Sequence, residues 1–143
     1  MQISDLLNRK GTYVATIRSD VSIIEVTREL SARSVGALVV SNDGRSILGI
    51  VSERDVVRAI SQFGPGILES EVQIIMSHDV HTCSPDDAVD SLMSTMTDHR
   101  IRHLPVVEGG VLSGIVSIGD LVKSRLDELE QDRAALEQYI TAR

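Results

Sequence analysis

The 143-residue chain has no Trp, one Phe and two Tyr, so aromatics make up only 2% of it. So few rings leave little for the bases of single-stranded nucleic acid to stack on, and a core has to come from Val, Ile and Leu. Cysteine is nearly absent as well. The single Cys83 excludes an intramolecular disulfide framework and fits a reducing compartment. Positive charge is scarce: 14 Lys and Arg face 21 Asp and Glu, for a net charge of −7. That field opposes nucleic acid and anionic membranes, although a local basic pocket could still hold one small anion. No stretch approaches a membrane span, and the opening MQISDLLNRKG lacks the apolar run of a secretory signal. A soluble cytoplasmic protein with no nucleic-acid or membrane partner is expected.

Catalytic and metal signatures are missing too. No G-x-x-x-x-G-K-[ST] loop, G-x-G-x-x-G turn, nucleophile elbow or activated-cysteine signature occurs. Asp86 and Asp87 read as helix-start charges, not as an acid–base pair. His78, His81, Cys83 and His99 lack the spacing of a zinc or iron motif. Neither catalysis, nor a bound metal, nor a required cofactor is expected.

What the chain does have is a repeat. VATIRSD (Val14–Asp20) aligns with VHTCSPD (Val80–Asp86), and SVGALVV (Ser34–Val40) aligns with RIRHLPV (Arg100–Val106), both at an offset of 66. Across the turns SNDGRSI and VEGGVL the offset falls to 65, where GIVSERD (Gly49–Asp55) meets GIVSIGD (Gly114–Asp120). A one-residue change confined to a turn is what two copies of one fold tolerate.

Each copy predicts an extended piece (Val14–Ile17; Val80–Cys83), a helix, a β-hairpin and a second helix, about Asp55–Gln62 and Asp120 onward. Ser19 or Asp20, and Ser84 before Pro85, are the expected caps of the first helix in each copy. The N-terminal helix is expected to be capped by Ser4 and closed by Gly11, and a short helix is expected over Glu69–Met76. The fold class is α/β (α+β), with two β-α-β-β-α repeats packed sheet to sheet about a pseudo-twofold and helical extensions at both ends. Residues 1–13 form the N-terminal extension, 14–62 repeat 1, 63–79 a linker, 80–125 repeat 2 and 126–143 a C-terminal helix. That helix carries Leu126, Leu129, Leu136 and Ile140 roughly on one stripe, interrupted by Arg133. The stripe is expected to pack against the body or to form a dimer contact.

The repeated Ser-x-x-Asp carries two compatible chemistries. Ser52 to Asp55 and Ser117 to Asp120 have the spacing of a capping box, in which each side chain satisfies a backbone N–H at a helix start. A helix N-terminus also offers free N–H groups and positive potential to a phosphate, and a carboxylate there can accept two hydrogen bonds from a vicinal diol. Arg102 and His103, just before Leu104-Pro105-Val106-Val107, could be a solvated strand end or charge-assisted donors to phosphate.

The duplicated unit, with G-I-V-S-x-x-D twice and I-R-H-L-P-V-V in the second central strand, resembles the CBS domain (cystathionine β-synthase domain) in tandem, a CBS pair or Bateman module. The match runs from about Val14 to Arg125. The resemblance implies a stand-alone regulatory sensor that binds AMP, ADP, ATP, NAD(H) or S-adenosylmethionine between its repeats, dimerises, and acts on a separate regulated protein. It implies a first site of Ser52, Asp55, Thr82, Ile101, Arg102 and His103, and a second of Thr16, Val35, Gly36, Ala37, Ser117 and Asp120, with the aspartates on ribose. Gly36 and Ala37 stand where the first site has Arg102 and His103, so the first is expected to prefer a nucleoside monophosphate such as AMP and the second to hold a weaker or bulkier ligand, or to stay empty. The alternatives are a ligand-free adaptor, whose Ser/Asp pairs only cap helices, and an accessory of an enzyme of nucleotide metabolism.

Overall fold

A computed structural model describes residues 1–142. Arg143, the last residue of the expected C-terminal helix, lies outside the described residues. After helix α1 (Ile3–Lys10), the first repeat runs β1 (Thr16–Ile17), α2 (Ile23–Arg33), β2 (Ala37–Val40), β3 (Gly49–Ser52) and α3 (Glu53–Phe63). The second repeat runs α4 (Val89–His99), β4 (His103–Glu108), β5 (Val111–Ser117) and α5 (Ile118–Thr141). In the first sheet β1 pairs parallel to β2 and β2 antiparallel to β3. In the second, β4 and β5 form the hairpin, and the counterpart of β1 shrinks to a parallel bridge from Cys83 to Val106. The two β-α-β-β-α units are therefore present, the second with its leading strand cut to one residue. The first hairpin turn is knit by Asp43, whose Oδ1 accepts the N–H groups of Arg45 (2.8 Å) and Ser46 (2.7 Å). Those bonds hold its carboxyl well below the usual carboxylate range.

The cores show an exchange of segments that the sequence reading did not anticipate. One cluster joins Ile17, Ile23, Val26, Leu38, Val40 and Val51 of repeat 1 to Val72 and Met76 of the linker. The other joins Leu92, Met96, Leu104, Val106 and Val116 of repeat 2 to Ile3, Leu6 and Leu7 of α1. The segment before each repeat thus serves the other repeat, and by equivalent contacts. Ile3 N–H donates to Asp87 and Val72 N–H to Val21; Ser4 N–H donates to Pro85 and Gln73 N–H to Ser19. Val89 N–H reaches back to Met1, and Ile23 N–H to Ser70. These pairs match the start of α1, from Met1, to the linker from Ser70, a third stretch of internal symmetry that no shared residue betrays.

The same contacts correct several expected helix ends. The carbonyls of Ser19, Val21, Pro85 and Asp87 are committed to those bonds, and the chain there makes a turn, Val21 N–H to the Arg18 carbonyl and Asp87 N–H to the Ser84 carbonyl, before either helix begins. Helix α2 starts later, capped by Ser22, and α4 later still, with Ala88 in the cap position, so Ser19, Asp20 and Ser84 are not caps. In α1 the cap is Gln2, paired with Asp5, not Ser4. The expected helix over Glu69–Met76 is instead two short 3₁₀ segments, Pro65–Glu69 and Val72–Ile74. The C-terminal stripe does not pack against the body: Leu126 and Leu136 are each 60% exposed, because α5 buries only Leu121 and Ser124 before it outruns the repeat.

The glycine that opens both G-I-V-S strands follows from the same exchange. A Cβ on Gly114 would lie 3.0 Å from Leu7 Cδ2, and one on Gly49 would lie 2.8 Å from both Met76 Sδ and the Ser77 carbonyl. Each exchanged segment lies directly on its glycine.

Candidate functional site

The two Ser/Asp pairs sit where β3 runs into α3 and β5 into α5. Ser52 Oγ accepts the Asp55 N–H (3.2 Å), and Asp55 Oδ2 accepts the Ser52 N–H (2.9 Å) and hydroxyl (3.0 Å). Ser117 Oγ accepts the Asp120 N–H (3.1 Å), and Asp120 Oδ2 the Ser117 N–H (2.9 Å). Both capping boxes are complete, so capping accounts for the spacing in each copy. Each cap still leaves a helix N-terminus and a carboxylate that is only half-buried.

Strand register carries the starts of the central strands to these junctions. Ala37 lies opposite Ser52, and His103 opposite Ser117. Across the seam the His103 ring lies on Gly36, where an added Cβ would meet its Cε1 at 3.2 Å and Glu53 Oε1 at 3.8 Å. The lack of a side chain at Gly36 is what admits the imidazole. Burial, then the charges of Arg102 and Lys10, push His103 below the ordinary histidine value against the pull of Asp120 and Glu53, so the ring favours its neutral form.

Among the other expected residues, Ile101 packs against the second core and Val35 against the first. Arg102 is exposed, and its carbonyl accepts the Ile118 N–H (2.8 Å), as that of Gly36 accepts the Glu53 N–H (3.0 Å). Thr16 is half-buried, paired with Val39, and Thr82 is exposed. The structure thus gathers Gly36, Ala37, Ser52, His103, Ser117 and Asp120 around the seam, with Glu53 beside them. His81 and His99 stack ring on ring at 4.4 Å, and burial pushes the Cys83 thiol up to about 12. Among the described residues no three side chains of metal-binding type are grouped.

One participant went unread in the sequence. Lys10 Nζ lies 2.5 Å from Asp120 Oδ2 and 2.7 Å from the Ile115 carbonyl. Burial alone would raise the Asp120 pKa, but Lys10 and the Ser117 N–H outweigh it and hold the carboxyl below its ordinary value. The second junction therefore carries a cation of its own, although Gly36 and Ala37 supply none. No sequence signal pointed here, because Lys10 is 110 residues from Asp120 and reaches it only through the segment exchange.

The family model for the CBS domain matches residues 3–62 and 70–127, both copies of the repeat. The chain belongs to the CBS domain family. A CBS-domain containing protein from Agrobacterium tumefaciens is 45% identical with a TM-score of 0.85, over 87% of this chain and 99% of that one. A CBS domain protein from Pyrobaculum aerophilum, solved in complex with AMP, is 32% identical with a TM-score of 0.78, over 91% and 97%. The mitochondrial CBS domain-containing protein CBSX3 of Arabidopsis thaliana is 33% identical over 96% of this chain and 71% of its own length. Both matched segments begin within the exchanged pieces, at residues 3 and 70, which fits α1 and the linker being parts of the CBS pair.

Proposed function

We propose that this CBS pair is a non-catalytic regulatory module that binds adenine nucleotides, AMP foremost, in the clefts at its seam. The observation that carries the reading is the convergence of two capped helix N-termini, each with a half-buried aspartate, on the strand starts that hold His103 and Gly36. The helix ends suit a phosphate and the carboxylates a ribose diol. The AMP complex of the Pyrobaculum relative supports the ligand class. Regulation would work by linkage: a ligand that prefers one arrangement of the repeats shifts its population and so alters a surface offered to a regulated protein. A homodimer fits as well. Val57 and Val122 hold the same place in the two repeats, on α3 and α5, and both are exposed. A cytoplasmic setting, with AMP levels as an energy signal, completes the proposal.

A thermal-shift panel of AMP, ADP, ATP, NAD, NADH and S-adenosylmethionine tests it. A ligand at a hundred times its Kd should add about 2.7 kcal/mol of stability. No shift with any member would favour an adaptor whose Ser/Asp pairs only cap helices.

A further inference from the structure

The two clefts differ at one position that the internal symmetry makes comparable. Residues 1–7 match 70–76 through four backbone contacts, Ile3, Ser4 and Val89 with Val72, Gln73 and Ile23, and the bridge Gln2 to Ala88 with Glu71 to Ser22, and through Leu7 and Met76 on their equivalent glycines. Counted on at the same offset, Lys10 corresponds to Asp79 in sequence, but the two paths part before those residues. After Met76 the linker leaves its helical path, and Ser77 pairs with Ile50 by two backbone bonds, of 3.0 and 2.9 Å. Helix α1 instead continues through Lys10. The carbonyl of Ile115, the counterpart of Ile50, then receives the Lys10 ammonium in place of a backbone N–H.

The arrangement is anchored. Ile3 is fully buried and Leu6 and Leu7 nearly so, and Leu7 sits on Gly114. The last turn of α1 is therefore held against the start of α5. Asp120 Oδ2 takes both the Ser117 N–H and Lys10, so one of the two oxygens that a vicinal diol would grip is held by an ammonium from outside the cap. At the first junction, Asp55 Oδ2 takes only its own cap, from Ser52.

We propose that Lys10 is a built-in occupant of the second cleft, standing where the ribose diol of a nucleotide would bind, and that it sets the affinity of that cleft below that of the first. The proposal rests on the nucleotide reading above. A diol can take Asp120 with both oxygens only when Lys10 swings away. A cavity of about 210 Å³ between α1 and α5 gives it room to move, because Lys10 lines that cavity with Asp127, a second carboxylate, alongside Arg9 and Lys123. Asp120, Ser124 and Asp127 all line this cavity from α5, and their i, i+4, i+7 spacing puts them on one face of the helix.

The test follows AMP and adenosine titrations of the full chain by amide NMR, reading Arg54 and Asp55 for the first cleft and Gly119 and Asp120 for the second. Adenosine keeps the diol but lacks the phosphate. Exchanging a half-exposed ion pair for hydroxyl donors should cost about fivefold in affinity. Lys10→Met should therefore tighten both ligands about fivefold at the second cleft and leave the first unchanged, whereas Lys10→Arg should leave both as they were. Without ligand, Lys10→Met should also raise the Asp120 carboxyl titration followed by ¹³C NMR. Weaker AMP binding with unchanged adenosine binding would make Lys10 a phosphate ligand and overturn the proposal. Unchanged affinities at a second cleft that binds would overturn it as well. If the unmodified chain binds neither compound at either cleft, the nucleotide reading fails and the gate with it.

Discussion

Replacing Gly49 and Gly114 by alanine, one at a time, puts the segment exchange to a quantitative test. The two glycines hold the same place in the two repeats, and neither has a positive φ, so alanine meets no backbone strain at either. Alanine there should gain about 0.5 kcal/mol by restricting the unfolded chain. The costs differ because the neighbours differ. At Gly114 the new Cβ meets Leu7 Cδ2 and Cδ1 at 3.0 and 3.1 Å, the far end of a flexible side chain. A shift of a few tenths of an ångström relieves it for about 1 kcal/mol, so the net change should be about 0.5 kcal/mol. At Gly49 the Cβ meets the Ser77 carbonyl at 2.8 Å, and Ser77 is fixed by its two bonds to Ile50. Relief there means moving backbone and loosening those bonds, at about 1 kcal/mol each on top of overpacking. The expected net loss is about 3 kcal/mol. For a chain of this size that is roughly a 9 °C fall in Tm, against a degree or two for Gly114→Ala. Urea titrations with matched m values and one protein concentration would measure both. A Gly114→Ala loss equal to or larger than that of Gly49→Ala would refute the account of how the exchanged segments pack.

Two predictions concern pH. Asp120 has a lowered pKa in the folded state, so it stabilises the fold above its unfolded value near 3.9, and that contribution is lost as pH falls through the lower folded value. Urea midpoints should therefore fall less steeply below about pH 4 in Asp120→Asn than in the unmodified protein; an identical acid limb would mean that Lys10 gives the carboxylate nothing. His103 also has a lowered folded pKa, but for a base the neutral form is the one the fold prefers. Its contribution is complete above the unfolded value near 6.5 and declines as pH drops through it. His103→Gln should flatten the stability profile between about pH 7 and 5, and the ring's own NMR titration should fall below the ordinary histidine midpoint.

The sequence displayed the repeat because its identities lie in strands and junctions, where register and close approach leave few choices. GIVS and Ser-x-x-Asp are local, and the structure keeps both as drawn. Ser52 and Ser117 cap the predicted helices because their hydroxyls compete with nothing else. Ser19, Asp20 and Ser84 fail as caps for a non-local reason, since nearby carbonyls are committed to the exchanged segments. The pairing of MQISDLLNRK with SEVQIIMSHD has no identical position to expose it, only apolar residues at Ile3, Leu6 and Leu7 against Val72, Ile75 and Met76. The contact of Lys10 with Asp120 depends on that pairing and on an extra helical turn, so it was out of reach of any local motif.

The exchange also bears on the order in which the molecule can assemble during synthesis. Everything the first core needs lies within one continuous stretch, roughly residues 15–76, so it can close as soon as Met76 has emerged. The second core needs Ile3, Leu6 and Leu7 as well as Val116 and Leu121, from opposite ends of the chain. Helix α1 is thus made before either repeat and is among the last elements to find its place. At ribosomal rates of roughly 5–20 residues per second it waits on the order of ten seconds with its apolar face uncovered. A binding partner or chaperone that meets the nascent chain in that interval meets this face before the mature protein hides it.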